Sequence, residues 1–219
     1  MNKVFSGPID LIHEKNESHS FILNDKEYEK YFDLIKEFVK VDVERKVAFR
    51  IKSLKVLSLK DYLKQNRPIT YNEALSLFLD VGEQLIFLQN MGKGYVNLNL
   101  NDIFLIQSDD DNISFLFLKV DPFFSVKDDV LEIDKTFQKN GFISPQIKNI
   151  NQIPTNISYS QTIFYELSAI VCNCFGSISN EATFIEYKNH LDCILETKLY
   201  WALLRCLEDK PEDRYYLYI

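Results

Sequence analysis

Read for its alternation of apolar and polar positions, the chain begins as a series of short strands. Residues 4–5, 9–12 and 20–23 are apolar or alternating, separated by Gly7-Pro8 and by the polar run 14–19. The period then changes. Residues 26–40, KEYEKYFDLIKEFVK, set Tyr28, Tyr31, Leu34, Ile35 and Phe38 on one face of a helix, with Asn24 or Asp25 as its cap. Strand character returns over residues 41–51, and residues 54–57 are expected to continue it across a hairpin. Ser58 caps a short helix over residues 58–64, and Pro68 breaks the chain. Thr70-Tyr-Asn-Glu73 is a capping box that opens the longest helix, running to about Met91. Ala74, Leu75, Leu77, Phe78, Val81, Leu85 and Leu88 form its apolar stripe, and Gly92-Lys-Gly94 ends it. Residues 102–106 and 113–120 read as a hairpin across the acidic turn 108–112. Residues 158–175 form a mostly apolar helix ended by Gly176. Residues 195–207 form a last amphipathic helix, with Leu199, Trp201, Leu203 and Leu204 facing the core.

Composition narrows the class. With 219 residues, 46% of them hydrophobic, the chain can bury the core of one domain or of two small lobes. No apolar run approaches the length of a membrane span and the first residues do not read as a secretory signal, so an intracellular, cytoplasmic protein is expected. Cys172, Cys174, Cys193 and Cys206 make no CxxC pair, and His13, His19 and His190 are scattered, which reads as buried thiols rather than a zinc site. The net charge of −7 argues against a nucleic-acid partner. It is unevenly spread: residues 36–67 hold ten Lys/Arg against four Asp/Glu, a net of +6, leaving −13 on the remainder. That basic run, with Arg45, Lys46 and Arg50 at its centre, is either a solvated face or a docking surface for an acidic partner.

The stretch 94–106, GYVNLNLNDIFLI, joins the longest helix to the hairpin. Taken alone, its asparagines read as turn formers. In order and spacing it resembles the catalytic loop of the protein kinases, His-Arg-Asp-Leu-x-x-x-Asn. On that pattern Tyr95, Val96 and Asn97 stand for His, Arg and the catalytic Asp. Leu98 matches the Leu, Asn99 replaces the usual Lys, and Asp102 replaces the metal-binding Asn. Further along, Asp121-Pro122-Phe123 falls where Asp-Phe-Gly would be, Ser144-Pro145-Gln146 where Ala-Pro-Glu would be, and Pro211-Glu212-Asp213-Arg214 at the late Pro-x-x-Arg motif. Gln161 takes the place of an anchoring Asp near the start of the family's central helix.

The resemblance implies an α+β, protein kinase-like two-lobed fold: a small β-rich lobe over residues 1–56 and a mainly helical lobe over residues 57–219. It also implies degenerate chemistry. Asn97 is an amide that can orient a hydroxyl but cannot take its proton, and Asn99 lacks the ammonium of Lys. Before Gly82 the only glycine is Gly7, so the phosphate-covering loop cannot take its usual form, and no strand Lys stands in register. Asp102 and Asp121 remain to share a metal, or to be merely solvated carboxylates. Gln146 and Arg214 are expected to bond as a structural tie. The implied function is a catalytically inactive, pseudokinase-type protein that works without a cofactor by binding another protein, as scaffold, allosteric subunit or kinase mimic, with a kinase or a larger assembly as partner. The alternatives are an atypical phosphotransferase or nucleotide-binding protein using Asp102 and Asp121, and an unrelated helical domain.

Overall fold

A computed structural model describes residues 2–53, 55–108, 112–119, 123–217 and 219, and the architecture is α+β. The first unit of chain comprises β1 (Asn2–Phe5), β2 (Ile9–His13), β3 (Ser18–Leu23), α1 (Glu29–Phe38), β4 (Val41–Arg45) and β5 (Ala48–Lys52). Its strands form one antiparallel sheet in the order β1-β2-β3-β5-β4. Asp25 caps the turn leading into α1 by accepting the Glu27 N–H at 2.9 Å. Alternation does the rest. Ile9, Leu11, Phe21, Leu23, Phe49 and Ile51 are buried, and Phe32 of α1 packs on Phe49 with ring centroids 5.0 Å apart.

The chain continues through β6 (Lys55–Ser58), α2 (Leu59–Leu63), α3 (Tyr71–Asn90), β7 (Lys93–Gly94), β8 (Ile103–Gln107) and β9 (Ile113–Phe117). The capping box on α3 forms as its sequence requires, with Thr70 and Glu73 exchanging hydrogen bonds. One expected pairing does not form. β6 does not fold back on β5; it pairs antiparallel with β8, from Lys55 opposite Gln107 to Ser58 opposite Phe104. A two-residue hairpin at 53–54 would want Gly or Asn, which Ser53 and Leu54 do not supply. Ser53 instead donates its N–H to Glu17 O at 3.0 Å, and its hydroxyl lies 3.1 Å from Gln107 O, which turns the chain toward β8.

The sheet β6-β8-β9 ends on β9, and α3 and α1 close that edge with side chains. Gln84, fully buried, accepts the Phe117 N–H at 2.9 Å and donates to Phe115 O at 2.8 Å. Asp80 accepts the Phe115 N–H at 2.9 Å. The Tyr31 hydroxyl of α1 lies 2.5 Å from Phe117 O and 3.1 Å from Gln84 Oε1. An edge strand whose backbone groups are met in this way offers nothing to a further strand.

Beyond β9 come β10 (Phe124–Lys127), β11 (Val130–Ile133), α4 (Pro145–Lys148), β12 (Thr155–Ser158), α5 (Tyr159–Phe175), α6 (Phe184–His190) and α7 (Lys198–Leu207). The sheet β12-β11-β10-β7 and helix α6 were not legible in the hydrophobic pattern. The β10–β11 turn uses Asp128 and Asp129 at φ 49 and 64, without the glycine that such a turn favours. Asp129 offsets that strain. Its carboxylate accepts the Ser160 N–H at 2.8 Å and the hydroxyls of Ser158 at 2.6 Å and Ser160 at 2.9 Å, which ties the turn to the start of α5. Under this hairpin lies Gly94, where a Cβ would run into the side chains of Val126 and Leu131. Trp201 is a correction: it is 53% exposed rather than in the core. Leu199, Leu203 and Cys206 set the buried face of α7, and Trp201 and Arg205 project from the other side.

Candidate functional site

The loop between β7 and β8 is held from beneath by α5. Tyr95, Val96 and Leu98 are buried, so the loop backbone lies against the core. Glu166, the one charged residue in the α5 sequence and itself fully buried, accepts the Leu98 N–H at 2.9 Å through Oε2. Burial pushes its carboxyl up to about 8, opposed by the N–H groups of Leu98, Asn97 and Ser144 that point at it. Its other oxygen, Oε1, has no hydrogen-bond partner among the described residues. The acid that holds this loop is Glu166. Gln161 instead donates its N–H to Ser158 Oγ, the cap of α5, at 3.4 Å, and its carbonyl accepts Arg214 Nη1 at 3.2 Å. Sequence reasoning missed Glu166, and the signal that could have found it is a lone acid in a mostly apolar helix.

Asn97 sits at φ 68, a left-handed conformation that Asn tolerates, and donates Nδ2 to Asn140 Oδ1 at 2.7 Å. Asn99 Oδ1 accepts the N–H and side-chain amide of Asn101, both at 3.0 Å, and the Asn99 carbonyl accepts Asp102 N–H at 3.0 Å. This is an Asx-type turn. Asp102 is buried beside the Tyr95 hydroxyl at 3.4 Å and Lys119 Nζ at 3.6 Å. Burial raises its carboxyl, against the pull of Lys119 and Tyr95. Asp121, the other half of the expected metal pair, lies outside the described residues, among which no group of three His, Cys, Asp or Glu could hold a metal.

The structure brings Gln146 and Arg214 together. Arg214 is 4% exposed and donates Nη1 to Gln146 Oε1 at 2.5 Å, Nε to Glu208 O at 2.5 Å and Nη2 to Asp209 O at 2.9 Å. Its guanidinium lies 4.6 Å from the centroid of the Tyr165 ring. Three backbone carbonyls and the Gln146 amide oxygen thus meet the buried guanidinium.

Around the loop, aromatic rings fill space between sheets. Phe5 of β1 meets Phe104 of β8 edge-on with centroids 5.5 Å apart, and Tyr28 stacks with Phe123 at 6.0 Å. Lys93 Nζ lies 4.1 Å from the Tyr28 centroid and pairs with Glu27 at 3.2 Å.

The basic run does not form one surface. Lys36 turns to Asp33 and Glu44, at 2.8 and 2.7 Å, Lys64 pairs with Asp61 at 2.6 Å, and Arg67 donates to Ser177 Oγ at 2.5 Å. Arg45, Lys46 and Arg50 stay together, exposed on the β4–β5 hairpin. Compared with known proteins, the sequence matches no family model and no curated protein.

Proposed function

We propose that this chain is a degenerate, two-lobed member of the protein kinase-like superfamily that works by binding another protein, as scaffold, allosteric subunit or kinase mimic, and not by phosphoryl transfer. The observation that carries this reading is the use made of the loop's amides. Asn97 and Asn99 stand where a base and a Lys would act, and both spend their side chains on loop geometry. Two further contacts support it. Tyr31 ties α1 to the edge of β9, so the helix that a kinase would move is fastened to the rest of the chain. The rings of Phe5 and Phe104 occupy space between the first sheet and β8.

The phosphotransferase alternative rests on Asp102, whose carboxylate already faces Lys119 and Tyr95. Nucleotide binding separates the two readings. A ligand present at a hundred times its dissociation constant raises stability by about 2.7 kcal/mol. We therefore expect no rise in melting temperature with millimolar Mg-ATP. A rise that requires Mg²⁺ and is lost in Asp102→Ala would favour the alternative.

A further inference from the structure

The first sheet has an open face that the kinase-like reading leaves unused. Its other face packs on α1, whereas here Ile12, Ile22 and Ala48 are half-buried and Val43 is 39% exposed, among the polar side chains of Ser18, Ser20, Arg45, Arg50 and Lys52. An antiparallel sheet commonly leaves one such mixed face open. A cleft of about 150 Å³ opens on this face, lined by Glu14, Ser20, Val43 and Ala48, with Arg45 and Arg50 on its walls.

The strand register places the two arginines. Arg45 stands opposite Ala48 and Val43 opposite Arg50, so the guanidiniums rise from neighbouring strands as a diagonal pair, about 7 Å apart at their origins. Charge in the cleft is unbalanced. Glu14 accepts the Ser20 hydroxyl at 2.5 Å with one oxygen, and its other oxygen is 3.8 Å from Arg50, too far for a hydrogen bond. Lys46 adds a third cation at the turn. This cationic cleft belongs to a chain of net charge −7.

We propose that the cleft docks an acidic, extended segment of a partner protein, with an Asp or Glu carboxylate held between Arg45 and Arg50 and an aliphatic neighbour resting on Val43. The proposal rests on the protein-binding reading above and names the partner's chemistry. A guanidinium fork matches a carboxylate in plane and donor spacing, and the exposed valine supplies the apolar contact that charge alone lacks. The negative remainder of the chain repels an acidic partner elsewhere, which directs it to this face.

The test uses the isotope-labelled full chain titrated with a short capped peptide alternating Glu and Val. Amide shifts are expected at Ser20, Val43, Arg45, Ala48 and Arg50. Affinity should fall at least about tenfold in the Arg45→Glu/Arg50→Glu variant, and severalfold when salt rises from about 0.05 to 0.5 M. The Lys60→Glu/Lys64→Glu variant, altered on α2, should bind the peptide as the wild type does. The proposal is overturned by absent shifts, or by shifts spread over the other cations and unchanged by the double reversal. It is equally overturned if inorganic phosphate alone, anionic vesicles, or self-association of the chain reproduces the same shifts at lower concentration. Because no nucleotide is present, these outcomes are independent of the Mg-ATP experiment.

Discussion

Glu166→Ala should destabilise the chain by at least about 1–3 kcal/mol, the cost of leaving the buried Leu98 N–H without an acceptor. The N–H groups of Asn97 and Ser144 also turn toward the carboxyl, without a hydrogen bond to Oε1. The same residue predicts a pH dependence. Its folded-state value of about 8 lies above its ordinary value of 4.5, so between those two limits the folded chain holds a proton that the unfolded chain has released. Stability then falls as pH rises, by about 1.4 kcal/mol per unit, being fully present below pH 4.5 and lost through pH 8. Glu166→Gln cannot ionise and should lack this slope. Urea unfolding of both proteins across that range reads the difference, and parallel profiles would show that Glu166 titrates normally.

Gln84→Leu is expected to cost about 2–5 kcal/mol, since the substitution keeps the volume and removes every bond. Phe117 N–H and Phe115 C=O would be left buried at the edge of β9, and the Tyr31 hydroxyl would lose its second neighbour. Tyr31→Phe removes only one member of the cluster and should cost about 1 kcal/mol. Denaturant midpoints at constant m-value measure both. A near-neutral Gln84→Leu would mean that β9 is not closed by α3.

Much of the fold was legible because periodicity and caps are local. The stripe of α3, its Thr70–Glu73 box, and the caps at Asp25 and Ser58 depend on residues a few positions apart, and they form as read. The partner of β6 was not legible, because pairing is decided by Ser53 bonding to residues 17 and 107, far away in sequence. The β10–β11 turn was hidden for a related reason. Two aspartates replace its glycine, and their strain is offset by serines at the start of α5. Trp201 was assigned by hydropathy, whereas its angular position on α7 sets its exposure. In the candidate site, motif order singled out Asn97, Asn99, Asp102, Gln146 and Arg214, of which the last two bond to each other. Glu166 was missed because the expected position of an acid was matched by letter rather than by what lies under the loop. The basic run was read as a unit from sequence distance, while strand and helix geometry send Lys36, Lys64 and Arg67 to separate partners.

The central proposal is that the chain is kinase-like and carries out no phosphoryl transfer, and radiolabel transfer from the γ-position of ATP tests it most directly. The purified chain, incubated with Mg²⁺ or Mn²⁺ and either a generic protein substrate or none, should incorporate no label. On the proposed reading, Asn97 takes the place of the base and Asn99 that of the Lys, which leaves the proton and the transferred group without partners. Incorporation that is abolished by Asn97→Ala or by Asp102→Asn would contradict the claim and establish catalysis at this loop.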